Sequence, residues 1–153
     1  MKILGFRAEP QSPRYAIAEV VNDDWTLLNA DSENKLVFPA QCNEDSERLN
    51  WFYRELERIF HSHHDISRVV IKTNEYAGTE NAAKRRSSYI EGTLLLYCGQ
   101  NNIPAFLKTY ASLGAKTADV KIRAAERVGQ TAKYWDNKMA DAVIAAWWGG
   151  RNP

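Results

Sequence analysis

The densest group of cationic side chains in the sequence is Lys84-Arg85-Arg86, near the start of a segment with helical periodicity. Further cations in the C-terminal half include Lys108 and Lys116. Aromatic residues are interleaved with them, at Tyr76, Tyr89, Tyr110 and Trp135. Cations interleaved with aromatic rings are suited to tracking phosphates and stacking on bases, so these five cations, here called the basic set, are candidate nucleic-acid-binding residues. Acidic residues occur in the same segments, so a solvated helix face is the alternative interpretation.

All three histidines lie in the stretch His61-Ser62-His63-His64-Asp65, which looks like a metal-binding cluster. The alternative is the frayed carboxyl end of a helix, where imidazoles are favoured by the helix dipole. No cysteine or further histidine is present to complete a zinc site, so we predict no bound metal there. The phosphate-loop patterns GxGxxG and GxxxxGKS and a serine nucleophile elbow are absent. These absences argue against a small-molecule enzyme of those motif classes.

Length and composition limit the classes of protein further. The chain has 153 residues and 17.4 kDa, with 44% apolar residues, which predicts a single domain over residues 1–153. Lys and Arg total 20 against 19 Asp and Glu, which excludes a strongly basic nucleic-acid coat but leaves room for a local basic patch. The apolar runs are too short to span a membrane. Two cysteines, Cys42 and Cys98, make no disulfide framework, so we expect a reduced, cytoplasmic protein.

The elements that position these residues follow from hydrophobic periodicity. Strands are predicted at residues 2–6, 15–21, 25–28, 69–72 and 103–107, with a further β-like piece at 35–38. Helices are predicted at residues 49–60, 81–98, 116–128 and 137–148, with Asn43 capping the first and Gly149-Gly150 ending the last. The order β-β-β-α-β-α-β-α-α predicts an α/β fold. Three antiparallel strands, followed by alternating helices and strands, form a mixed five-stranded sheet with helices on both faces.

Five stretches are informative in this order. The first predicted strand contains Gly5-Phe6-Arg7 and is followed by a turn and by Tyr15-Ala16-Ile17. The fourth is the apolar run Val69-Val70-Ile71-Lys72. Two helices begin with Asn81-Ala82-Ala83 and with Met139-Ala140-Asp141-Ala142-Val143. Together they resemble the RuvC-type Holliday junction resolvases of the ribonuclease H-like superfamily. The resemblance covers most of the chain by element order and implies a ribonuclease H-like fold. It is close by motif only in the last helix.

The resemblance also shows what is missing. Arg7 stands at the position of the family's first metal-binding aspartate, Lys72 at the strand-end glutamate, and Lys138 at another acid of the last helix. Asp141 alone remains of the expected carboxylates. Since phosphodiester cleavage with two metals needs several hard oxygen ligands, the resemblance implies a catalytically degenerate domain. Such a domain has no cofactor and binds DNA, RNA or a protein partner without cleavage, and the family's dimers imply a homodimer.

Two alternatives stay open. Glu9, Glu75 and Asp136 lie a few residues from the vacated positions. With Asp141 they would be the catalytic residues of an active Mg²⁺-dependent nuclease or junction resolvase. The second alternative is a structural or regulatory homo-oligomer without a nucleic-acid role.

For the vacated site we predict an ion-pair network of Arg7, Lys72 and Asp141 that replaces the metal. These residues should converge at one end of the sheet. Arg7 is able to clamp Asp141 through two parallel hydrogen bonds, and Lys72 is able to neutralise the remaining charge or turn to Glu75.

Overall fold

The most apolar strands of the sequence occupy the middle of the sheet. In the computed structural model, which describes all 153 residues, the strand order is β3-β2-β1-β4-β5. The strands are β1 (Lys2–Arg7), β2 (Arg14–Val21), β3 (Asp24–Leu27), β4 (Ile66–Lys72) and β5 (Ala105–Lys108). The helices are α1 (Asp45–Ser62), α2 (Ala82–Gln100), α3 (Tyr110–Leu113), α4 (Val120–Arg127) and α5 (Asn137–Arg151). None of the helices is long and apolar enough to cross a membrane.

The pairing of the strands brings several chain segments to one end of the sheet. β1 pairs antiparallel with β2, and β2 pairs antiparallel with β3, whereas β1, β4 and β5 are mutually parallel. The parallel strands therefore end together, at what we call the carboxyl edge, and the chain enters α2 and α3 from the same edge. The predicted mixed five-stranded sheet with helices on both faces is confirmed.

Helices α1 and α2 cover one face of the sheet. Strand residues Leu4, Phe6 and Ile71 are buried in one apolar cluster with Phe52 of α1 and Leu94 of α2. The rings of Phe6 and Phe52 lie 5.7 Å apart. Successive strand residues point to opposite faces, so Arg7, Gly5 and Ile3 point to the other side.

Helix α5 covers that other side at very short range. A Cβ atom on Gly5 would lie 1.9 Å from the carbonyl oxygen of Ala142, so only glycine permits this approach of the helix backbone to β1. Small residues continue along α5, where Ala145 and Ala146 are fully buried. The close approach brings Asp141, which precedes Ala142, to the level of the strand ends.

Two predictions from local sequence are wrong, the β-like piece at residues 35–38 and the end of the last helix, because tertiary contacts decide both. Residues 35–38 form no strand; only Lys35 makes an isolated bridge, with Arg14. The last helix continues through Gly149 and Gly150, because these glycines allow close packing. A Cβ atom on Gly149 would lie 2.8 Å from side-chain carbons of Ile3 and Val70.

Two further predictions about helix ends are wrong, and a third end shifts by one residue. The residue before α1 is Glu44, which makes no side-chain capping bond, so Asn43 is not the cap. The predicted helix 116–128 begins only at Val120, and the sequence analysis missed the short helix α3 before it. Asn81, predicted as the first residue of its helix, instead precedes α2 and caps it, since its side chain accepts a hydrogen bond from the Lys84 amide at 2.9 Å.

Candidate functional site

The structure brings Arg7, Lys72 and Asp141 together at the carboxyl edge. Arg7 and Lys72 are register partners on the parallel strands β1 and β4. Asp141 reaches them from the second turn of α5, and its Oδ2 lies 3.1 Å from Nε of Arg7. Only 6% of Arg7 and 1% each of Lys72 and Asp141 are exposed. We call these three residues the charge cluster.

The guanidinium of Arg7 does not clamp the carboxylate as expected. Its Nε is close to Asp141 but makes no well-aligned hydrogen bond. The terminal nitrogens point elsewhere: Nη1 donates to the carbonyl oxygen of Lys72 at 3.2 Å, and Nη2 donates to Oδ1 of Asn74 at 2.8 Å. The expected pair of parallel bonds is therefore wrong, because the end of β4 offers acceptors that compete for the guanidinium.

Tyr110 completes the surroundings of Asp141, and the sequence analysis did not assign it to this position. Its hydroxyl donates a 2.5 Å hydrogen bond to Oδ1 of Asp141. The ammonium of Lys72 lies 4.0 Å from the centroid of the Tyr110 ring and 3.1 Å from Oε1 of Glu75. The same oxygen of Glu75 accepts from the backbone amide of Tyr110 at 2.9 Å.

Burial dominates the electrostatics of the charge cluster. It raises the pKa of Asp141, and the Tyr110 hydroxyl and the neighbouring cations oppose this shift. Burial, followed by the charge of Arg7, lowers the pKa of Lys72, while Asp141 and Glu75 act in the opposite direction. Burial and the hydrogen bond to Asp141 raise the pKa of Tyr110. Asp141 and Glu75 thus compensate the charges of Arg7 and Lys72, and the three residues of the charge cluster are almost fully buried.

Of the three acids near the vacated positions, Glu75 contacts Lys72 of the charge cluster, whereas Glu9 and Asp136 have partners elsewhere. Oε2 of Glu9 accepts from the amide and hydroxyl of Ser12 at 2.7 and 3.0 Å, and so stabilises the turn after β1. Asp136 caps α5 through the amide of Met139 at 2.9 Å and forms a 3.2 Å ion pair with Arg14. The structure contains no group of three or more His, Cys, Asp or Glu side chains arranged to hold a metal ion.

A buried carboxylate that the sequence analysis missed lies on the other side of the strand end. Glu91 of α2 is 6% exposed, and its two carboxylate oxygens lie 3.1 and 2.9 Å from the hydroxyl of Thr73, which donates to it. Burial raises the pKa of Glu91, while the Thr73 hydrogen bond and the charges of Arg7 and Lys72 oppose that shift. Glu91 is spaced four residues after Ser87 and three before Leu94, so it lies on the buried stripe of α2. This helical spacing was the sequence signal that could have predicted its burial.

The basic set lies around the same carboxyl edge, on α2, at the end of β5 and after α3. Arg85 and Lys116 are exposed. Arg86 is 3.7 Å from Asp45, and the ammonium of Lys108 lies over the ring of Trp148 at 4.4 Å. These four side chains keep their charges near the surface.

Lys84, the fifth member of the basic set, is engaged within the chain. Its ammonium donates to the carbonyl oxygens of Ala77 and Thr79 at 2.9 and 3.0 Å. Between these contacts and β4 lies Tyr76, whose side chain is 87% exposed. We call residues 74–80 the Tyr76 loop.

The histidine cluster is at the opposite end of the sheet. α1 ends at Ser62 and the chain then enters β4 at its amino end. The backbone amide of His63 donates to Ile59, closing the helix, and His61 and His64 are exposed. The cluster is therefore distant from the charge cluster.

Comparison with known proteins places this geometry in context. No family model and no curated protein sequence matches the chain. RuvC of Thermus thermophilus, solved in complex with a Holliday junction substrate, has a TM-score of 0.78 at 14% identity. That match covers 98% of this chain and 93% of RuvC. The fowlpox virus resolvase, solved with Holliday junction DNA, has a TM-score of 0.60 at 12% identity and full coverage of both chains.

The yeast mitochondrial Holliday junction resolvase has a TM-score of 0.59 at 15% identity, over 95% of this chain and 76% of its own. These similarities confirm the fold that the sequence resemblance implied: the chain has the RuvC-like ribonuclease H fold of the Holliday junction resolvases.

Proposed function

We propose that this chain binds nucleic acid at the carboxyl edge without cleaving it. The observation that carries the proposal is the pairing of Arg7 with Asp141 beside the buried Lys72. By the resemblance to the resolvases, these positions carry metal-binding acids in active enzymes. Here two fixed cations and a phenol surround the single remaining carboxylate.

The residues present do not fit a Mg²⁺ site. Magnesium requires oxygen ligands in near-octahedral geometry at about 2.0–2.1 Å. The oxygens of Asp141 already contact Tyr110 and Arg7. Of the three acids that the displaced-acid alternative adds to Asp141, Glu9 and Asp136 stabilise a turn and a helix start instead. The third, Glu75, is engaged by the ammonium of Lys72 and the backbone amide of Tyr110. A cation placed beside Asp141 would also be repelled by Arg7 and Lys72.

The nucleic-acid part of the proposal rests on the surface around the charge cluster. Arg85, Lys108 and Lys116 line the carboxyl edge and supply charge for phosphate contacts. The exposed ring of Tyr76 offers a face on which a base can stack. Two of the resolvases with this fold were solved with Holliday junctions, so we propose branched DNA as the first ligand to test. The proposal includes a cytoplasmic setting, where thiols such as Cys42 and Cys98 stay reduced.

We also propose that two copies of the chain associate through α2 and the edge strand β5. Strand β5 has a neighbour on one side only. Leu96 of α2 is 57% exposed, and Phe106 and Leu107 of β5 are 37% and 39% exposed. Exposed apolar side chains beside an unpaired strand edge favour a partner surface. Light scattering should give twice the chain mass, and Leu96→Glu should return it to the mass of one chain.

The function is tested with a fluorescein-labelled four-way DNA junction and a duplex of the same base composition. Binding measured by fluorescence anisotropy should persist in EDTA and weaken steeply with salt. Electrophoresis after incubation with Mg²⁺ or Mn²⁺ should show intact strands. Cleavage that disappears in Glu9→Gln, Glu75→Gln or Asp136→Asn would instead establish the displaced-acid nuclease. Absence of binding at low salt would favour the homo-oligomer without a nucleic-acid role.

A further inference from the structure

We infer that Arg7 and Lys72 are positioning residues that hold the Tyr76 loop in one conformation and thereby present the Tyr76 ring to nucleic acid. The inference that the Tyr76 ring binds nucleic acid rests on the proposed function. The inference that the two cations hold the loop rests only on contacts within the chain. The cations at the vacated positions would then have a role in binding, beyond neutralising Asp141.

The four consecutive residues 72–75, at the end of β4 and the start of the loop, each make a contact with Arg7 or with the ammonium of Lys72. Arg7 donates to the carbonyl oxygen of Lys72 at 3.2 Å and to the side chain of Asn74 at 2.8 Å. Lys72 donates to the carbonyl oxygen of Thr73 at 2.5 Å, and its ammonium lies 3.1 Å from the carboxylate of Glu75. The chain is therefore fixed up to the residue immediately before Tyr76.

The other side of the loop is also held. Lys84, in the first turn of α2, donates to the carbonyl oxygens of Ala77 and Thr79 at 2.9 and 3.0 Å. Glu75 has a second contact, since it accepts from the backbone amide of Tyr110 at 2.9 Å. Tyr76 thus lies between two fixed segments, and its side chain is 87% exposed.

The charge of the residues at positions 7 and 72 is what makes these contacts available. Arginine and lysine side chains are hydrogen-bond donors only, whereas an ionised carboxylate only accepts. The groups offered by the strand end are acceptors: the carbonyl oxygens of Lys72 and Thr73 and Oδ1 of Asn74. Acids at positions 7 and 72 would repel these oxygens unless a metal ion lay between them. The cations bind them directly, so the loop start is fixed without a metal.

A fixed loop has a consequence for binding. Ordering a mobile segment when a ligand binds subtracts from affinity, and a segment that is already ordered avoids this cost. The Tyr76 ring should therefore bind more strongly when Arg7 and Lys72 hold the loop than when they do not. The effect acts through Tyr76 and vanishes when that ring is absent.

The first test measures the loop alone, without nucleic acid. Backbone ¹⁵N order parameters for residues 74–80 should be near 0.85 in the unmodified protein and fall below about 0.6 in Arg7→Gln and in Asn74→Ala. Asn74→Ala removes the loop side of the contact and leaves the charge cluster intact, so it remains informative if Arg7→Gln does not fold. Arg14→Gln is the matched control. Arg14 pairs in register with Arg7, is similarly buried, and contacts Asp136. Order parameters in Asn74→Ala that match those of Arg14→Gln would overturn the inference.

The second test links the loop to binding of the labelled four-way junction. Asn74→Ala should weaken binding by about two- to tenfold when Tyr76 is present. It should have no further effect in a Tyr76→Ala background. If Asn74→Ala weakens binding equally with and without the Tyr76 ring, the inference that the loop presents this ring to nucleic acid is wrong. If the unmodified protein binds no junction while Asn74→Ala still loosens the loop, the proposed function fails and Tyr76 presents no ring to nucleic acid. The role of Arg7 in holding the loop is then still supported, because Asn74 is a contact of Arg7.

Discussion

The hydroxyl of Tyr110 donates a 2.5 Å hydrogen bond to Oδ1 of Asp141. This contact joins the segment after β5 to α5 across the carboxyl edge, and it gives a buried carboxylate a neutral donor in addition to the cation Arg7. A buried anion with such partners is stabilised only as long as each of them is present. The contact therefore makes Tyr110 part of the structure of the vacated site.

Tyr110→Phe should lower the free energy of unfolding by about 1–3 kcal/mol, because it removes a donor from a buried carboxylate and leaves the ring in place. Urea denaturation followed by circular dichroism measures this change. Tyr89→Phe is the control: Tyr89 is exposed, so its loss should stay within about 0.5 kcal/mol. Equal effects of the two substitutions would show that the hydroxyl makes no net contribution at Asp141.

Asp141→Ala should be more severe than Tyr110→Phe, with a loss of about 3–5 kcal/mol, because it leaves the buried Arg7 without its counter-ion. The same urea experiment applies. Asp23→Asn is the control, since Asp23 forms a 3.7 Å ion pair with Arg151, its side chain is 88% exposed, and asparagine tolerates the positive φ of 65° at this position. That exposed pair should contribute less than about 1 kcal/mol. A loss of less than about 1 kcal/mol in Asp141→Ala would mean that water reaches the charge cluster in solution.

Glu91 should make stability depend on pH in a defined direction. Its pKa in the folded protein is raised above the ordinary 4.5, chiefly by burial. The unfolded chain therefore loses this proton at a lower pH than the folded chain does, and the folded state loses stability as the pH rises from 4.5 through the folded pKa. Relative to Glu91→Gln, the unmodified protein should become less stable as the pH rises above 4.5.

The measurement for Glu91 is the difference in unfolding free energy between the two proteins at several pH values. A constant offset reflects the substitution itself, so only the change with pH counts. A difference that grows in the opposite direction would mean that Thr73, Arg7 and Lys72 outweigh burial.

The strands and long helices followed from local patterns because each buries a continuous apolar stripe. The stripe of Phe52, Leu56 and Ile59 predicted α1, and the run of Val69, Val70 and Ile71 predicted β4. The continuation of α5 through Gly149 and Gly150 was not predictable in this way. Glycine normally weakens a helix. The compensation comes from close packing on strands that are distant in sequence, β1 and β4 at Gly149 and β3 at Gly150.

The convergence of Arg7, Lys72 and Asp141 followed from strand order and the resemblance to the resolvases. The hydrogen-bond partners of Arg7 could not be predicted in the same way. Asp141 and the acceptors at the end of β4 compete for its guanidinium, and the outcome depends on distances of a few tenths of an ångström. Tyr110 was also beyond sequence patterns, since it reaches Asp141 from a helix of four residues with no periodicity to indicate it.

Substitution within the basic set should separate phosphate contacts from loop contacts. Arg85→Ala should weaken junction binding about equally for different sequences and make the log–log salt slope shallower by up to about 0.9. Lys84→Ala should weaken binding with a smaller change in slope, because the Lys84 ammonium is bonded to Ala77 and Thr79. Salt titrations by fluorescence anisotropy give both slopes. An unchanged slope in Arg85→Ala would identify this part of α2 as a solvated face.

Restoring acids at two of the three vacated positions should create a magnesium site. In Arg7→Asp with Lys72→Glu, two carboxylates on neighbouring strand ends would face Asp141, which already lies within ion-pair distance of position 7. Without metal the three like charges repel one another, so the double variant should be less stable than the unmodified protein. Magnesium should reverse this loss, with a gain of about 2.7 kcal/mol at a concentration 100 times its dissociation constant.

Thermal unfolding at increasing MgCl₂ and constant ionic strength measures the restored site. The unmodified protein and Arg7→Asp alone are the controls, and neither should show a rise comparable with that of the double variant. If the double variant is unfolded without metal, the same titration followed by circular dichroism should show folding as magnesium is added. The prediction fails if the double variant responds to magnesium no more than the unmodified protein does. In that case the backbone at the carboxyl edge would no longer hold carboxylates in a metal-binding arrangement. The replacement of metal by Arg7 and Lys72 would then extend beyond the two side chains.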